Sequence, residues 1–110
     1  MTETPKPVET HHKLRLEIIL ESLALRQAED ILARAGATGW TVLPAVSGFG
    51  GNTRWSRGTD LSGSSDMVVI VSIGDASVID AARDRLFELV ERYVGILNVS
   101  PVTVLRPGLF

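Results

Sequence analysis

Three glycines, two arginines and a tryptophan crowd into SGFGGNTRWSR, residues 47–57. Glycine costs more conformational entropy on folding than any other residue, so a run of it suggests a backbone that must come close to something. Peptide N–H groups on such a backbone, with Arg54, Arg57 and the ring of Trp55 alongside, can receive the oxygens of a phosphate or the side chains of another polypeptide. The established phosphate motifs do not fit. There is no G-x-x-x-x-G-K-[ST], and GFGGNT lacks the third glycine of G-x-G-x-x-G and leads into no helical pattern, which argues against a P-loop NTPase or a Rossmann enzyme. The nearby carboxylates Asp60 and Asp66 would have to hold Mg²⁺ or a water if the chain were a slow nucleotide phosphohydrolase, yet their spacing is no metal motif and solvation explains them. His11 and His12 are adjacent, a poor arrangement for sharing one metal on a strand, so no metal is expected. With no cysteine in the chain, disulfide, thiolate and zinc-finger chemistry are excluded, in keeping with a reducing cytosol.

The elements around this stretch are legible from periodicity. Residues 1–12 are polar, carry prolines and lack a pattern, and read as a flexible tail preceding a single domain over 13–110. Leu14, Leu16, Ile18 and Leu20 alternate with Lys13, Arg15 and Glu17, the period of a strand with one strongly apolar face. Ser22 can cap a helix in which Ala24, Leu25, Ala28, Ile31, Leu32 and Ala35 recur every three or four residues, with Arg34 in the last turn and Gly36 as the left-handed stop. A second strand, roughly 39–47, contains Pro44, which confines it to a sheet edge. MVVIVSI, 67–73, is apolar on both pleat faces and reads as a central strand. A second helix opens at 75–77, with Ser77 and Asp80 at capping-box spacing, and buries Ile79, Ala82, Leu86, Leu89, Val90 and Tyr93 before Gly95 ends it. A last strand, 99–106, holds Pro101 and is again an edge.

The order βαββαβ, with unbroken first and third strands, predicts an α+β, ferredoxin-like fold: a four-stranded antiparallel sheet in spatial order 4-1-3-2 with both helices on one face. Two helices cover one face only, whereas Ile19 and the doubly apolar third strand imply a second buried face. Another copy of the chain is the natural cover, and it would also protect the sheet edges. The 110-residue chain is 45% hydrophobic and 22% charged with a net charge of −2, a balance that offers nucleic acid or an anionic membrane no general attraction. No apolar run approaches the ~20 residues of a membrane span, so the expectation is a cytoplasmic protein without membrane insertion.

AGATGWTV (35–42) followed by SGFGGN (47–52), between the first helix and a long loop, resembles the PII signalling proteins. In that family a similar G-x-T-V…G-F-G-x-[QN] run leads from the second strand into the mobile T-loop, here at about 48–65. The resemblance covers residues 13–107 and implies a homotrimer with adenine nucleotides in clefts between subunits. The T-loop base of one subunit, and a B-loop and C-terminal arginines of its neighbour, hold the nucleotide. Carried over by position, it implies that Gly39 and Thr41 contact base or sugar, that Ile73 offers a third-strand backbone contact, and that Gly48, Phe49, Gly50 and Asn52 approach the phosphates. It also makes Gly95 the B-loop remnant and Arg106, in VTVLR, a phosphate-binding arginine. Each has a plain alternative: a strand residue for Thr41, a turn for Gly39, a bulge for Gly48 and Gly50, a solvated terminus for Arg106.

The departures from the family pattern sharpen the expectation. Where the main family has a lysine-rich B-loop, this chain reads YVGILN (93–98), so fewer cations compensate a triphosphate. ADP or AMP is therefore favoured over ATP as the effector. The loop also lacks the tyrosine that nitrogen-sensing members expose for nucleotidylation; the chain's one tyrosine, Tyr93, reads as a core residue at a helix end. A short, serine-rich loop with a YVGI segment looks more like the PII-like branch linked to inorganic carbon, in bicarbonate transport and carboxysomes. That likeness implies bicarbonate as co-ligand or regulated metabolite, Arg54, Trp55 and Arg57 as anion or partner contacts, and a transporter, channel or carbon-fixation protein docking on the T-loop. The expected role is regulatory, not enzymatic. The alternatives are the slow phosphohydrolase and a metal-binding or scaffold trimer of the same fold.

Overall fold

The computed structural model describes residues 4–50, 53–56 and 66–106. Its first strand, β1 (His11–Glu21), begins two residues before the apolar alternation, because His11 and His12 still pair with Val104 and Thr103. The chain then makes a single 3-10 turn, Ser22–Ala24, before helix α1 (Leu25–Ala35). Ser22 is thus not the cap of α1: the cap position is Ala24, with no side-chain cap hydrogen bond. The reason is tertiary, since the Ser22 N–H donates to the Asp66 carbonyl at 2.7 Å and fixes the chain where β1 ends. Gly36 closes α1 at φ +94°, a left-handed conformation that a side chain would strain.

The segment expected as one second strand is two. Strand β2 (Thr41–Pro44) joins the main sheet, while β3 (Ser47–Gly50) leaves it and pairs with β4 (Thr53–Ser56) in a separate two-stranded ribbon. Strand β5 (Met67–Gly74) is central, as its doubly apolar sequence requires. Helix α2 (Ala76–Arg92) follows directly, so Ser77 lies within it and no capping box forms with Asp80; the cap residue Asp75 instead pairs with Lys13 of β1. Strand β6 runs Gly95–Val104, four residues earlier in its start than its β-branched content suggested, because pairing with β1 begins at Leu20 and Gly95.

The main sheet has the order β2-β5-β1-β6 with every pairing antiparallel. This is the expected βαββαβ arrangement, and Pro44 and Pro101 both stand on its edge strands, where a missing N–H leaves no gap in the ladder. Leu16, Ile18 and Leu20 of β1 and Ile70 of β5 form one core with Ala28 and Leu32 of α1 and Ile79, Ala82, Leu86 and Leu89 of α2, all fully buried. Tyr93 packs against this core, and its hydroxyl accepts a hydrogen bond from the Gln27 amide at 3.2 Å.

Among the described residues no helix covers the opposite face of the sheet. Ladder partners there form an apolar row across all four strands: Leu43 opposite Val69, Val69 opposite Ile19, Ile19 opposite Ile96. At its two ends Leu43 and Ile96 are 49% and 58% exposed.

Candidate functional site

The open face is polar one row further along. Thr41, Val71, Glu17 and Asn98 are successive ladder partners. The Glu17 carboxylate accepts from the Asn98 amide at 3.1 Å and from the Arg15 guanidinium at 3.0 Å. These bonds, Asn98 first and then Arg15, hold its pKa below the ordinary 4.5 against an opposing desolvation effect. Beyond lies Ile73, opposite Arg15.

At the other end of the apolar row the chain leaves the sheet, and a hollow of about 640 Å³ opens beneath β3. Gly48, Phe49 and Gly50 line one side, Ile19, Met67 and Val69 the floor, and Val94, Gly95 and Ile96 the far wall. A clip shapes that wall. The Val94 N–H donates to the Glu21 carboxylate at 2.7 Å, and the Glu21 N–H donates back to the Val94 carbonyl at 3.3 Å. Gly48, Phe49, Gly50 and Gly95, which the resemblance divides between one subunit and its neighbour, line one cavity within the protomer.

The glycines there differ in kind. A Cβ on Gly95 would lie 2.6 Å from the Ile19 carbonyl oxygen and 3.2 Å from both Leu20 Cδ1 and Val90 Cγ1, so β6 can cross β1 beneath α2 only without a side chain. A Cβ on Gly50 would meet nothing within 4 Å. Gly50 has no positive φ either; nothing among the described residues demands its bare backbone. Gly39 has a third role, its carbonyl accepting the Ser72 hydroxyl at 2.8 Å and tying the turn before β2 to the central strand. That bond satisfies Ser72, the buried polar residue of the core.

The remaining expected residues are dispersed. Thr41 and Ile73 lie on the open face away from the hollow, and Arg106 follows the far end of β6. β6 spans about 30 Å from Gly95 to Val104 at ~3.3 Å per residue, and Arg106 lies beyond it, so Gly95 and Arg106 stand far apart within one protomer. Arg54 and Trp55 stand on β4 opposite Phe49 and Gly48. Asn52, Arg57 and Asp60 lie outside the described residues. Asp66 engages through its carbonyl with Ser22. His11 and His12, as neighbours on a strand, belong to opposite faces, and among the described residues no three His, Asp or Glu gather as a metal site. No described helix is long and apolar enough to cross a membrane. Motif reading missed Ile19, Val94 and Ile96 as cavity residues and the Glu21 clip; Ile19, the one apolar residue among the odd positions of β1, was the available signal.

The profile of the P-II family, described as nitrogen regulatory protein P-II, matches residues 13–109. The chain belongs to the P-II family. Two solved structures of CPII, a nitrogen regulatory PII-like protein from Thiomonas intermedia K12, share its fold. One, bound to ADP, AMP and bicarbonate, has 24% sequence identity and a TM-score of 0.85, covering 94% of this chain and 98% of CPII. The other, bound to ADP and bicarbonate, has 25% identity and a TM-score of 0.81 over 94% and 99%. A putative PII-like signalling protein from Thermus thermophilus has 27% identity and a TM-score of 0.72, over 89% of this chain and 94% of its own. No curated protein matches the sequence. In this P-II protein of PII-like type, Ser47–Gly50 and Thr53–Ser56 form the β3–β4 ribbon, and the segment YVGILN is strand from Gly95 onward.

Proposed function

We propose that this P-II protein is a regulatory sensor that forms a homotrimer, open faces inward, and binds ADP or AMP in the seams between copies. The observation that carries the reading is the apolar row Leu43, Val69, Ile19 and Ile96, uncovered in one chain and continuous with the hollow under Gly48 and Gly50. Covering such a row removes apolar area from water at about 25 cal/mol per Å², and a second copy brings its own edge to the hollow. Under this arrangement Gly50 offers its N–H side to a phosphate, and Thr41 and Ile73 line the approach of base or sugar. Gly39 acts through the turn that positions Thr41, and Arg106 reaches the ligand from the neighbouring copy. Gly48, Phe49 and Asn52 complete the phosphate-facing segment. Gly95 contributes backbone only.

The ligand class follows from charge and from kinship. The B-loop counterpart YVGILN carries no lysine, so a diphosphate or monophosphate is better matched than a triphosphate, and the CPII relatives were solved with ADP, AMP and bicarbonate. Bicarbonate would enter as co-ligand near Arg54 and Arg57. Nucleotide binding then biases the ribbon and the loop beyond it between states that a partner distinguishes. That partner is a transporter, channel or carbon-fixation protein, with Trp55 at the contact. Isothermal calorimetry with ADP, AMP and ATP, with and without bicarbonate, tests the reading. Saturable ADP or AMP binding tighter than ATP is expected, without phosphate release; tighter ATP binding overturns the ligand preference, and turnover overturns the sensor.

A further inference from the structure

On the helix layer, away from the open face, α1 and α2 border a second, solvent-open hollow of about 430 Å³ lined by Ile31, Arg34, Ala35, Ala81, Arg85, Glu88 and Arg92. The α2 members are spaced four, three and four residues apart, which puts them on one stripe facing α1. Three guanidiniums and one carboxylate thus border a concavity in a chain whose net charge is −2. Several cations elsewhere on the molecule are matched: Lys13 pairs with Asp75, Arg15 with Glu17, and Arg83 with Asp80 and Asp84. The guanidiniums of Arg34, Arg85 and Arg92 have no ion pair or hydrogen bond among the described residues. Arg34 and Arg92 stand in the last turns of their helices, where the macrodipole favours a cation in any case. Arg85 lies two turns before the end of α2 and lacks that reason.

We propose that this interhelical hollow binds a small phosphorylated anion. Its volume lies within the roughly 300–1,000 Å³ of small-molecule sites, and planar guanidiniums suit the bidentate geometry of phosphate oxygens better than any other side chain. Ile31 and Ala35, half-buried, line its base, while Ala81 and the charged residues stand exposed at its rim. The site is independent of the nucleotide seam, since it uses the opposite layer of the fold.

Inorganic pyrophosphate is the probe, titrated at low ionic strength into the ¹⁵N-labelled full chain. Saturable amide shifts over 31–35 and 81–92 are expected. Arg85→Gln weakens the affinity about tenfold, the loss of one charge-assisted contact, and Glu88→Gln strengthens it severalfold by removing repulsion. Arg83→Gln, a cation already paired with carboxylates, leaves it unchanged. The proposal is overturned by absence of saturation, by shifts centred on 48–50 and 95 instead, or by equal loss in Arg83→Gln and Arg85→Gln. Saturation by a hexaglutamate peptide with none by pyrophosphate also overturns it, in favour of an acidic protein segment.

Discussion

The two faces of the sheet are built from alternate residues of the same strands, yet they end in opposite states. On β1, Leu16, Ile18 and Leu20 are sealed beneath the helices, whereas Ile19, between them, looks onto a face whose outer apolar residues stand about half exposed. The helix side has its complement within the chain. The other side holds a comparable apolar row, a buttressed carboxylate and the hollow beneath β3, and no described helix covers it; under the proposed function its complement is another copy. The difference separates residues that make the fold from residues that use it: a substitution on the first face is felt in stability, one on the second in association and ligand capture.

The largest break falls on the sealed face. Leu16→Ala should cost about 2–5 kcal/mol, the range for a large-to-small change in a close-packed core, measured as a lowered urea midpoint with unchanged slope. Gly95→Ala comes next, because its methyl group would press on the Ile19 carbonyl. Overpacking of this kind costs about 1–3 kcal/mol, while Gly50→Ala, with open space at that position, should leave the urea midpoint within the scatter of surface substitutions and act on ADP affinity instead. If both glycines lower stability alike, the distinction between them fails. On the open face Ile96→Asp should leave the far-UV circular dichroism intact and abolish self-association, seen by sedimentation velocity; a variant that unfolds would instead make Ile96 part of the core.

The smallest effect is a matter of pH. Glu17 is held below its ordinary pKa by Asn98 and Arg15, so its folded form favours the carboxylate. The stabilisation is fully present above the unfolded value and is lost as pH falls through the folded one. Acid titration of the wild type should show a loss of stability in that window which Glu17→Gln lacks, and equal acid sensitivity in both proteins would mean that the Asn98 and Arg15 bonds contribute nothing.

Much of the scaffold was legible in the sequence for reasons that are local. The alternation through Leu20, the two prolines, the left-handed Gly36 and the doubly apolar β5 each report a backbone or burial constraint at the residue that shows it. The misreadings lie where a distant partner decides. Ser22 looks like a cap but is captured by Asp66. Gly95 looks like a stop but starts a strand, because β1 offers it a ladder and α2 leaves no room for a side chain. The ribbon formed by β3 and β4 was hidden by glycines that weaken any strand signal. Of the candidate site, the segment Gly48 to Gly50 could be found by motif and is seated at a cavity. The cavity's other wall could not, since Val94 and Ile96 are ordinary apolar residues until the fold brings them there.

Native mass spectrometry of the chain with and without ADP tests the central claim most directly, that the open face is where copies meet and a nucleotide lodges. The account predicts a trimer that takes up as many as three ADP molecules, and an Ile96→Asp monomer that takes up none. A wild-type monomer that binds ADP by itself, or a trimer in which Ile96→Asp changes neither assembly nor uptake, would contradict it.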